Sequence, residues 1–187
     1  NDGNLTGGPT WATGRIGGAL SFDGGDDKVV LTNQSYPTGN HASLSFWAYG
    51  GEDLPNQNQV FVSRDSLNKT LLNVHLTWVN QTGDESYVVF WYIGNSSDTN
   101  RINRSGASVD FTGSWRHWSL TKNHLTGEMI IFKDGSAFHR DSNKLQPSAE
   151  ASDVECFWVG VGYHGLLDDI RIYDRALSAA EVQALYN

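Results

Sequence analysis

Acidic side chains fall into two short clusters, and their chemistry suits a hard cation. Asp23, Asp26 and Asp27 follow a strand-like segment, whereas Asp168 and Asp169 open another such segment near the end of the chain. Carboxylate oxygens are preferred Ca²⁺ ligands, and carboxylates held close together repel one another unless a cation neutralises them. The two clusters could therefore form a calcium site if the fold brings them together. The alternative is that they are solvated turn residues, with Asp168 or Asp169 accepting backbone hydrogen bonds.

Aromatic residues with planar polar neighbours could recognise sugars. A sugar ring stacks on an exposed aromatic face, and the neighbouring polar groups form hydrogen bonds with its hydroxyls. The pairs of this kind are Trp78 with Asn80, Trp91 with Tyr92, and Tyr163 with His164. We predict ligand binding at Trp78, Asn80, Trp91 and Tyr163. For any one tryptophan, packing in the core is the alternative, and it is our prediction for Trp47, Trp115, Trp118 and Trp158.

Residue patterns typical of enzymes do not occur in the sequence. It contains no Glu-X-Asp-X-Glu run, no Gly-X-Ser-X-Gly elbow and no His-Glu-X-X-His motif. The segment from Gly160 to Gly165 fits a dinucleotide-binding string, but a strand-like segment follows it where a helix is required. We therefore predict that the protein is not an enzyme.

Six Asn-X-Ser/Thr sequons are more than this composition produces by chance. Their acceptor residues are Asn4, Asn33, Asn68, Asn80, Asn95 and Asn103. All six lie in turn-like or strand-edge polar segments, where a glycan could be attached in a secreted protein. The sequons predict a glycoprotein that is secreted or displayed at the cell surface. The alternative is that they simply reflect loops rich in Asn, Ser and Thr.

Charge and hydropathy narrow the range of partners. The net charge of −8 over 187 residues disfavours nucleic acids and anionic membranes as partners. No apolar run approaches the roughly 20 residues that cross a bilayer. The expected partners are therefore glycans, extracellular or cell-surface proteins, and divalent cations.

Alternating apolar and polar residues predict an all-β fold. Ten segments of this kind are separated by Gly, Asn, Asp and Ser, at 19–22, 28–31, 43–49, 59–63, 71–79, 87–93, 115–122, 129–133, 157–161 and 166–173. Asp134 and Gly135 predict a tight hairpin turn. Ser178 and Glu181 form a capping box that predicts a short C-terminal helix. The absence of linkers and repeats favours one domain over residues 1–187.

Both ends of the chain carry motifs of a known family. The segment 14–24 reads Gly-Arg-Ile-Gly-Gly-Ala-Leu-Ser-Phe-Asp-Gly, and the segment 165–175 reads Gly-Leu-Leu-Asp-Asp-Ile-Arg-Ile-Tyr-Asp-Arg. Together with the opening Asn-Asp-Gly stretch, these resemble the laminin G-like jelly roll of the concanavalin A-like lectin/glucanase superfamily. The resemblance covers nearly the whole chain.

This resemblance implies two antiparallel sheets packed face to face, often with a structural calcium ion. Such modules bind glycans or mediate adhesion in secreted proteins. In the family fold the two acidic segments come together, so we predict Asp23, Asp26 and Asp168 as calcium ligands.

A departure from the family pattern concerns the first strand. Family members usually carry another strand before the Asn-Asp-Gly stretch, and this chain begins after it, which predicts an unpaired edge near residues 166–173. Exposed edges recruit strands. Two hypotheses follow: a calcium-stabilised, non-catalytic module that binds a glycan or a surface partner, or a self-assembling subunit of a glycosylated extracellular filament. In the filament, a strand from a neighbouring subunit would complete the sandwich.

Overall fold

The computed structural model describes residues 3–52, 57–78, 88–94 and 100–187. Within these residues the chain forms two antiparallel sheets of seven strands each. The first sheet contains, in spatial order, β1 (Asn4–Thr6), β4 (Lys28–Leu31), β13 (Cys156–Val159), β6 (Gln57–Arg64), β7 (Thr70–Trp78), β8 (Val88–Ile93) and β9 (Arg101–Ser105). The second contains β12 (Ser136–Asp141), β11 (Glu128–Lys133), β10 (Arg116–Asn123), β5 (His41–Gly50), β14 (His164–Tyr173), β3 (Gly18–Asp23) and β2 (Thr10–Thr13).

This arrangement confirms the predicted jelly-roll sandwich. On β5 the inward-facing residues Leu44 and Phe46 are fully buried between the sheets, where Phe46 packs edge-on against Phe61 of β6 at 5.5 Å. Side chains alternate between the two faces of a strand, so Ser45 and Trp47 lie on the outer face. They are buried as well. Both faces of β5 are therefore covered.

The C-terminal helix α1 (Ala179–Tyr186) covers part of that outer face. Ser178 Oγ accepts a hydrogen bond from the Glu181 N–H at 3.3 Å, and the Glu181 carboxylate accepts one from the Ser178 N–H at 2.8 Å. The predicted capping box is therefore present. Val182 is fully buried against the second sheet, and the ring of Tyr186 stacks on Trp47. The helix thus brings an aromatic side chain onto the outer face of the sheet.

The turn between β11 and β12 positions a carboxylate beside this face. Asp134 has a φ of 49° and Gly135 a φ of 76°, and both positive values are typical of the predicted Asp-Gly hairpin turn. The Asp134 carboxylate accepts a hydrogen bond from the backbone N–H of His117 at 3.0 Å. The turn is therefore anchored to β10.

β14 is paired unevenly along its two edges. β5 pairs with β14 from Gly165 to Tyr173, with an irregularity between Asp168 and Arg171. β3 pairs with it only from His164 to Leu167. On the β3 side, no strand of the described chain pairs with residues 169–173. Half of one edge of β14 is therefore open.

Candidate ligand-binding site

Three of the acidic residues lie in or beside one turn, where backbone N–H groups already bind the carboxylates of two of them. Asp23 ends β3, and its carboxylate accepts a hydrogen bond from the Gly25 N–H at 2.8 Å. Asp27 is buried and accepts one from the Asp23 N–H at 3.0 Å. Asp26 is exposed beside them. The geometry is that of a self-contained turn.

Asp168 does not join this turn, so the structure does not bring the three predicted calcium ligands together. His164 lies opposite Asp23, and Asp168 is four residues further along β14, about 13 Å away at the rise of a strand. One oxygen of its buried carboxylate accepts from the Ile16 N–H and the other from the Asp169 N–H, each at 2.7 Å. Among the described residues, no group of three Asp, Glu, His or Cys side chains could hold a metal ion. The alternative, an aspartate that binds backbone amides, is confirmed for Asp168.

Trp91 and Tyr163 are both fully buried in the core, so the prediction that these rings face a sugar is wrong. Tyr163 packs edge-on against Phe22 at 6.5 Å, and burial raises the pKa of its hydroxyl. Asn80 lies outside the described residues. Only the backbone of Trp78, at the end of β7, is described.

Sequon acceptors are exposed wherever the structure describes them. This holds for Asn4, Asn33, Asn68 and Asn103, whereas Asn80 and Asn95 lie outside the described residues. Exposure is what glycan attachment requires. The glycosylation of these sites stays a prediction.

A polar cleft of about 260 Å³ opens on the outer face of the second sheet, and we call it the aromatic cleft. Its lining consists of aromatic and planar charged side chains, namely Arg15, Trp47, Trp115, Arg116, Asp134 and Tyr186. β5, β10, α1, the hairpin turn and the loop between β2 and β3 all contribute to it. The cleft therefore depends on the assembled fold.

The aromatic side chains of the cleft are held by their neighbours. Tyr186 stacks on Trp47 with ring centroids 5.6 Å apart and an interplanar angle of 26°. Trp115 packs edge-on against Tyr49 at 5.8 Å and is half-buried. Because Trp47 is only 3% exposed, Trp115 is the tryptophan whose ring is more open to a ligand.

The charged groups of the cleft differ in how they are bound. The Arg116 guanidinium forms an ion pair with Asp134 at 3.1 Å and donates two hydrogen bonds to the carbonyl of Val109. The Arg15 guanidinium lies over the Trp47 ring at 5.0 Å. No described carboxylate forms an ion pair with Arg15. Its planar donors therefore remain available to a ligand.

A serine and a histidine beside the cleft do not form a catalytic pair. Ser45 Oγ lies 2.9 Å from His117 Nε2, but both side chains are buried. His117 Nδ1 has no hydrogen-bond partner among the described residues, so no acidic group orients the ring. Burial lowers the pKa of His117 to about 4. These features are those of a structural pair.

Residues 23–183 match the model of the Laminin_G_3 family, described as the concanavalin A-like lectin/glucanases superfamily. This chain belongs to that superfamily. A comparison with curated protein sequences finds no match. None of the helices in the described part of this superfamily member is long and apolar enough to cross a membrane.

Solved structures similar to this superfamily member include several binding domains. Domain 4 of an extracellular arabinanase from Geobacillus stearothermophilus, in complex with arabinotriose, has a TM-score of 0.71 and 20% identity over 99% of this chain and 88% of its own. The binding domain of Paraclostridial Mosquitocidal Protein 1 has a TM-score of 0.72 and 16% identity, over 100% of this chain and 47% of its own. The ligand-binding domain of botulinum neurotoxin serotype D, in complex with N-acetylneuraminic acid, has a TM-score of 0.68 and 15% identity, over 99% of this chain and 46% of its own. At these identities the likeness establishes the fold.

Proposed function

We propose that this chain is a non-catalytic, extracellular glycan-recognition module, and that the aromatic cleft holds the sugar. The observation that carries this proposal is that one cleft combines a half-buried tryptophan with a guanidinium that forms no ion pair with any carboxylate of the described residues. Trp115 offers an apolar ring surface, and Arg15 offers planar hydrogen-bond donors. An apolar surface with a few placed polar groups is what small-ligand sites require.

The chemistry of the cleft favours a sugar that bears a carboxylate. Arg116 and Asp134 neutralise each other, so Arg15 leaves the cleft with an uncompensated positive charge. A guanidinium binds a carboxylate through two parallel hydrogen bonds. A cleft of about 260 Å³ suits a single sugar ring, such as the terminal unit of a glycan. The arabinotriose and N-acetylneuraminic acid complexes of the similar structures support a sugar as the ligand class.

An extracellular location rests on the sequons. The four acceptors that the structure describes are all exposed, which is compatible with glycans on the natural protein. Intact-mass measurement of the natural material tests this part of the proposal, since occupied sequons add the mass of their glycans. Filament assembly through a neighbour's strand stays a prediction, and within the described residues the open edge of β14 favours it.

Replacing Trp115 by alanine is expected to weaken sugar binding by about tenfold or more, because the substitution removes the ring on which the sugar stacks. Arg15→Gln should weaken binding of carboxylate-bearing sugars while leaving neutral sugars less affected. A glycan array that includes both classes identifies the ligand, and isothermal titration calorimetry of the best ligand measures both effects.

Trp11→Ala is the matched control for this experiment. Trp11 lies on β2, is 72% exposed and does not line the cleft, so its loss should leave sugar affinity unchanged. Equal losses for Trp11→Ala and Trp115→Ala would place the sugar elsewhere. Silence across acidic and neutral glycans alike would contradict the proposed function itself.

A further inference from the structure

The aromatic cleft has two charged sides, and β5 lies between them. The Ile16 N–H, one residue after Arg15, donates to the Asp168 carboxylate of β14, so this loop holds Arg15 on the β14 side of the cleft. Arg116 of β10 and Asp134 of the hairpin turn form the other side. Because β10 and β14 flank β5, two strand spacings, or about 10 Å, separate the two sides. A ligand that reaches both sides can therefore present a different group to each.

The ion pair on the β10 side keeps hydrogen-bonding groups that a ligand could use. The Arg116 guanidinium donates from Nε and Nη2 to the Val109 carbonyl and from Nη1 to the Asp134 carboxylate. A guanidinium has more N–H groups than these three bonds use, and each oxygen of a carboxylate accepts more than one hydrogen bond. The side chains of Arg116 and Asp134 are 28% and 22% exposed. The pair thus offers the cleft a donor and an acceptor side by side, 3.1 Å apart.

A donor beside an acceptor at this spacing matches two adjacent hydroxyls of a sugar ring. A hydroxyl can both donate and accept, so one hydroxyl can donate to the Asp134 carboxylate while its neighbour accepts from Arg116. Both bonds have a charged partner, and such bonds are stronger than those between neutral groups. A ring with a single hydroxyl at this place leaves one member of the pair without its bond. The ion pair can therefore discriminate between sugars although its two charges cancel.

Building on the proposed function, we propose that the Arg116–Asp134 pair selects the ligand by binding two adjacent ring hydroxyls, while Arg15 binds a carboxylate on the opposite side of the same ring. The ligand class is a terminal hexuronic acid, in which one pyranose ring carries both groups. Such a ring, with a hydrogen bond of about 3 Å at each side, spans roughly the distance between the two sides of the cleft. N-Acetylneuraminic acid has a carboxylate but no two adjacent ring hydroxyls, so it offers only half of this match.

Isothermal titration calorimetry with the methyl glycosides of glucuronic acid and 3-deoxyglucuronic acid tests the selection. The 3-hydroxyl belongs to both pairs of adjacent ring hydroxyls, so the 3-deoxy compound has neither pair and keeps the carboxylate. The methyl glycoside of glucuronic acid should bind about tenfold or more tightly than the 3-deoxy compound, because the latter leaves charged groups without a hydrogen bond. The methyl glycoside of N-acetylneuraminic acid should bind no more tightly than the 3-deoxy compound.

Asp134→Asn locates the selection on the protein. Asn-Gly is a preferred residue pair for this type of turn, and the amide oxygen can still accept from the His117 N–H, so the fold should be kept. The substitution removes the carboxylate acceptor and leaves the Arg116 charge uncompensated. The preference for the glucuronic acid glycoside should therefore fall below about threefold, without weaker binding of the 3-deoxy compound. Glu128→Gln is the matched control, since it breaks an ion pair with Arg140 outside the cleft and should keep the full preference.

The outcomes separate this inference from the proposed function. Equal affinities of the wild-type protein for the glucuronic acid glycoside and its 3-deoxy analogue overturn the inference and leave acidic-sugar binding in place. A preference that Asp134→Asn leaves unchanged, or a variant that loses both ligands equally, also overturns it. Tighter binding of the N-acetylneuraminic acid glycoside than of the glucuronic acid glycoside has the same consequence. No binding of any of the three glycosides overturns the proposed function as well, whereas a selective loss of preference in Asp134→Asn supports the inference.

Discussion

Acidification from pH 6.5 to pH 4 is expected to lower the free energy of unfolding by about 5 kcal/mol, with two buried histidines contributing equally. His75 and His117 are at most 1% exposed, and burial lowers the pKa of each ring from 6.5 to about 4. In this window the unfolded chain binds two protons that the folded chain does not bind. Stability therefore rises with pH through the window and falls on acidification. The full shift of each pKa is worth about 3.4 kcal/mol, since one pKa unit corresponds to about 1.4 kcal/mol. About 2.6 kcal/mol of it falls inside the window, because the unfolded ring is half-protonated at pH 6.5 and the folded ring at pH 4.

Urea denaturation followed at half-unit steps of pH measures this loss. Because a typical domain is stable by about 5–15 kcal/mol, this loss amounts to between a third and all of the stability of such a domain. Some carboxyl groups, such as Asp110 and Asp141, have depressed pKa values. They lower the free energy of unfolding mainly at pH values below the ordinary carboxyl pKa of about 4. Their contribution therefore falls mostly outside the histidine window.

Two substitutions separate the histidines from other acid effects. His75→Phe keeps an aromatic ring beside Phe90, whose centroid lies 5.5 Å away, and should remove about half of the pH dependence. His139→Asn alters a half-buried histidine on β12, and this variant should retain the full pH dependence of the free energy of unfolding. A wild-type protein whose stability stays flat between pH 6.5 and pH 4 would contradict the neutral, buried state of both rings.

How far the fold could be predicted depended on apolar content within each strand. The alternation in Ser43–Tyr49 is clear, and β5 forms there. The observed strand, His41–Gly50, is longer by two residues at its start and by one at its end. β1, β2 and β9 were not predicted. β2 is only Thr-Trp-Ala-Thr, and β9 holds a single buried apolar residue, Ile102. Pairing with a neighbouring strand stabilises such short edge strands, and that information is not local in the sequence.

The candidate site was harder to predict because its residues meet only in the folded chain. Arg15, Trp47 and Tyr186 lie in three distant elements, and the capping box at Ser178 predicts the helix without indicating which face it covers. The prediction of sugar binding from aromatic residues with polar neighbours was wrong at Trp91 for a local reason. Successive side chains of a strand point to opposite faces, so the polar neighbour of Trp91 does not share its environment.

The positions of two buried polar residues also could not be predicted from the local sequence. Lys122 is 1% exposed inside the sandwich, where its ammonium donates to the carbonyls of Ile93 and Gln146 at 3.1 and 2.5 Å. A lysine near the end of a strand usually indicates an exposed position. Asp168 was predicted as a metal ligand, but its position along β14 relative to β3 makes it an acceptor for backbone amides. Strand register decided that role, and register depends on pairing across the whole sheet.

Trp118→Ala is expected to lower the free energy of unfolding by about 3–5 kcal/mol, the usual cost of removing a buried aromatic side chain. Trp118 is fully buried on β10. Its ring stacks on Phe111 at 5.4 Å with an interplanar angle of 18°, and meets Phe138 edge-on at 5.9 Å. The substitution leaves a cavity at a point where β10, β12 and the turn before β10 converge. Urea denaturation monitored by far-ultraviolet circular dichroism measures the loss.

Two further tryptophan variants make this prediction specific to the core position of the ring. Trp118→Phe keeps most of the apolar contact, and it removes an indole N–H that has no hydrogen-bond partner among the described residues. Its cost should therefore be less than half that of the alanine variant. Trp11→Ala removes an indole that is 72% exposed and should change stability by only about 0.5 kcal/mol. Equal losses for Trp118→Ala and Trp11→Ala would show that the first ring is not part of the core. The predicted order, with Trp118→Ala far above the other two, follows from burial because all three substitutions alter the same side-chain type.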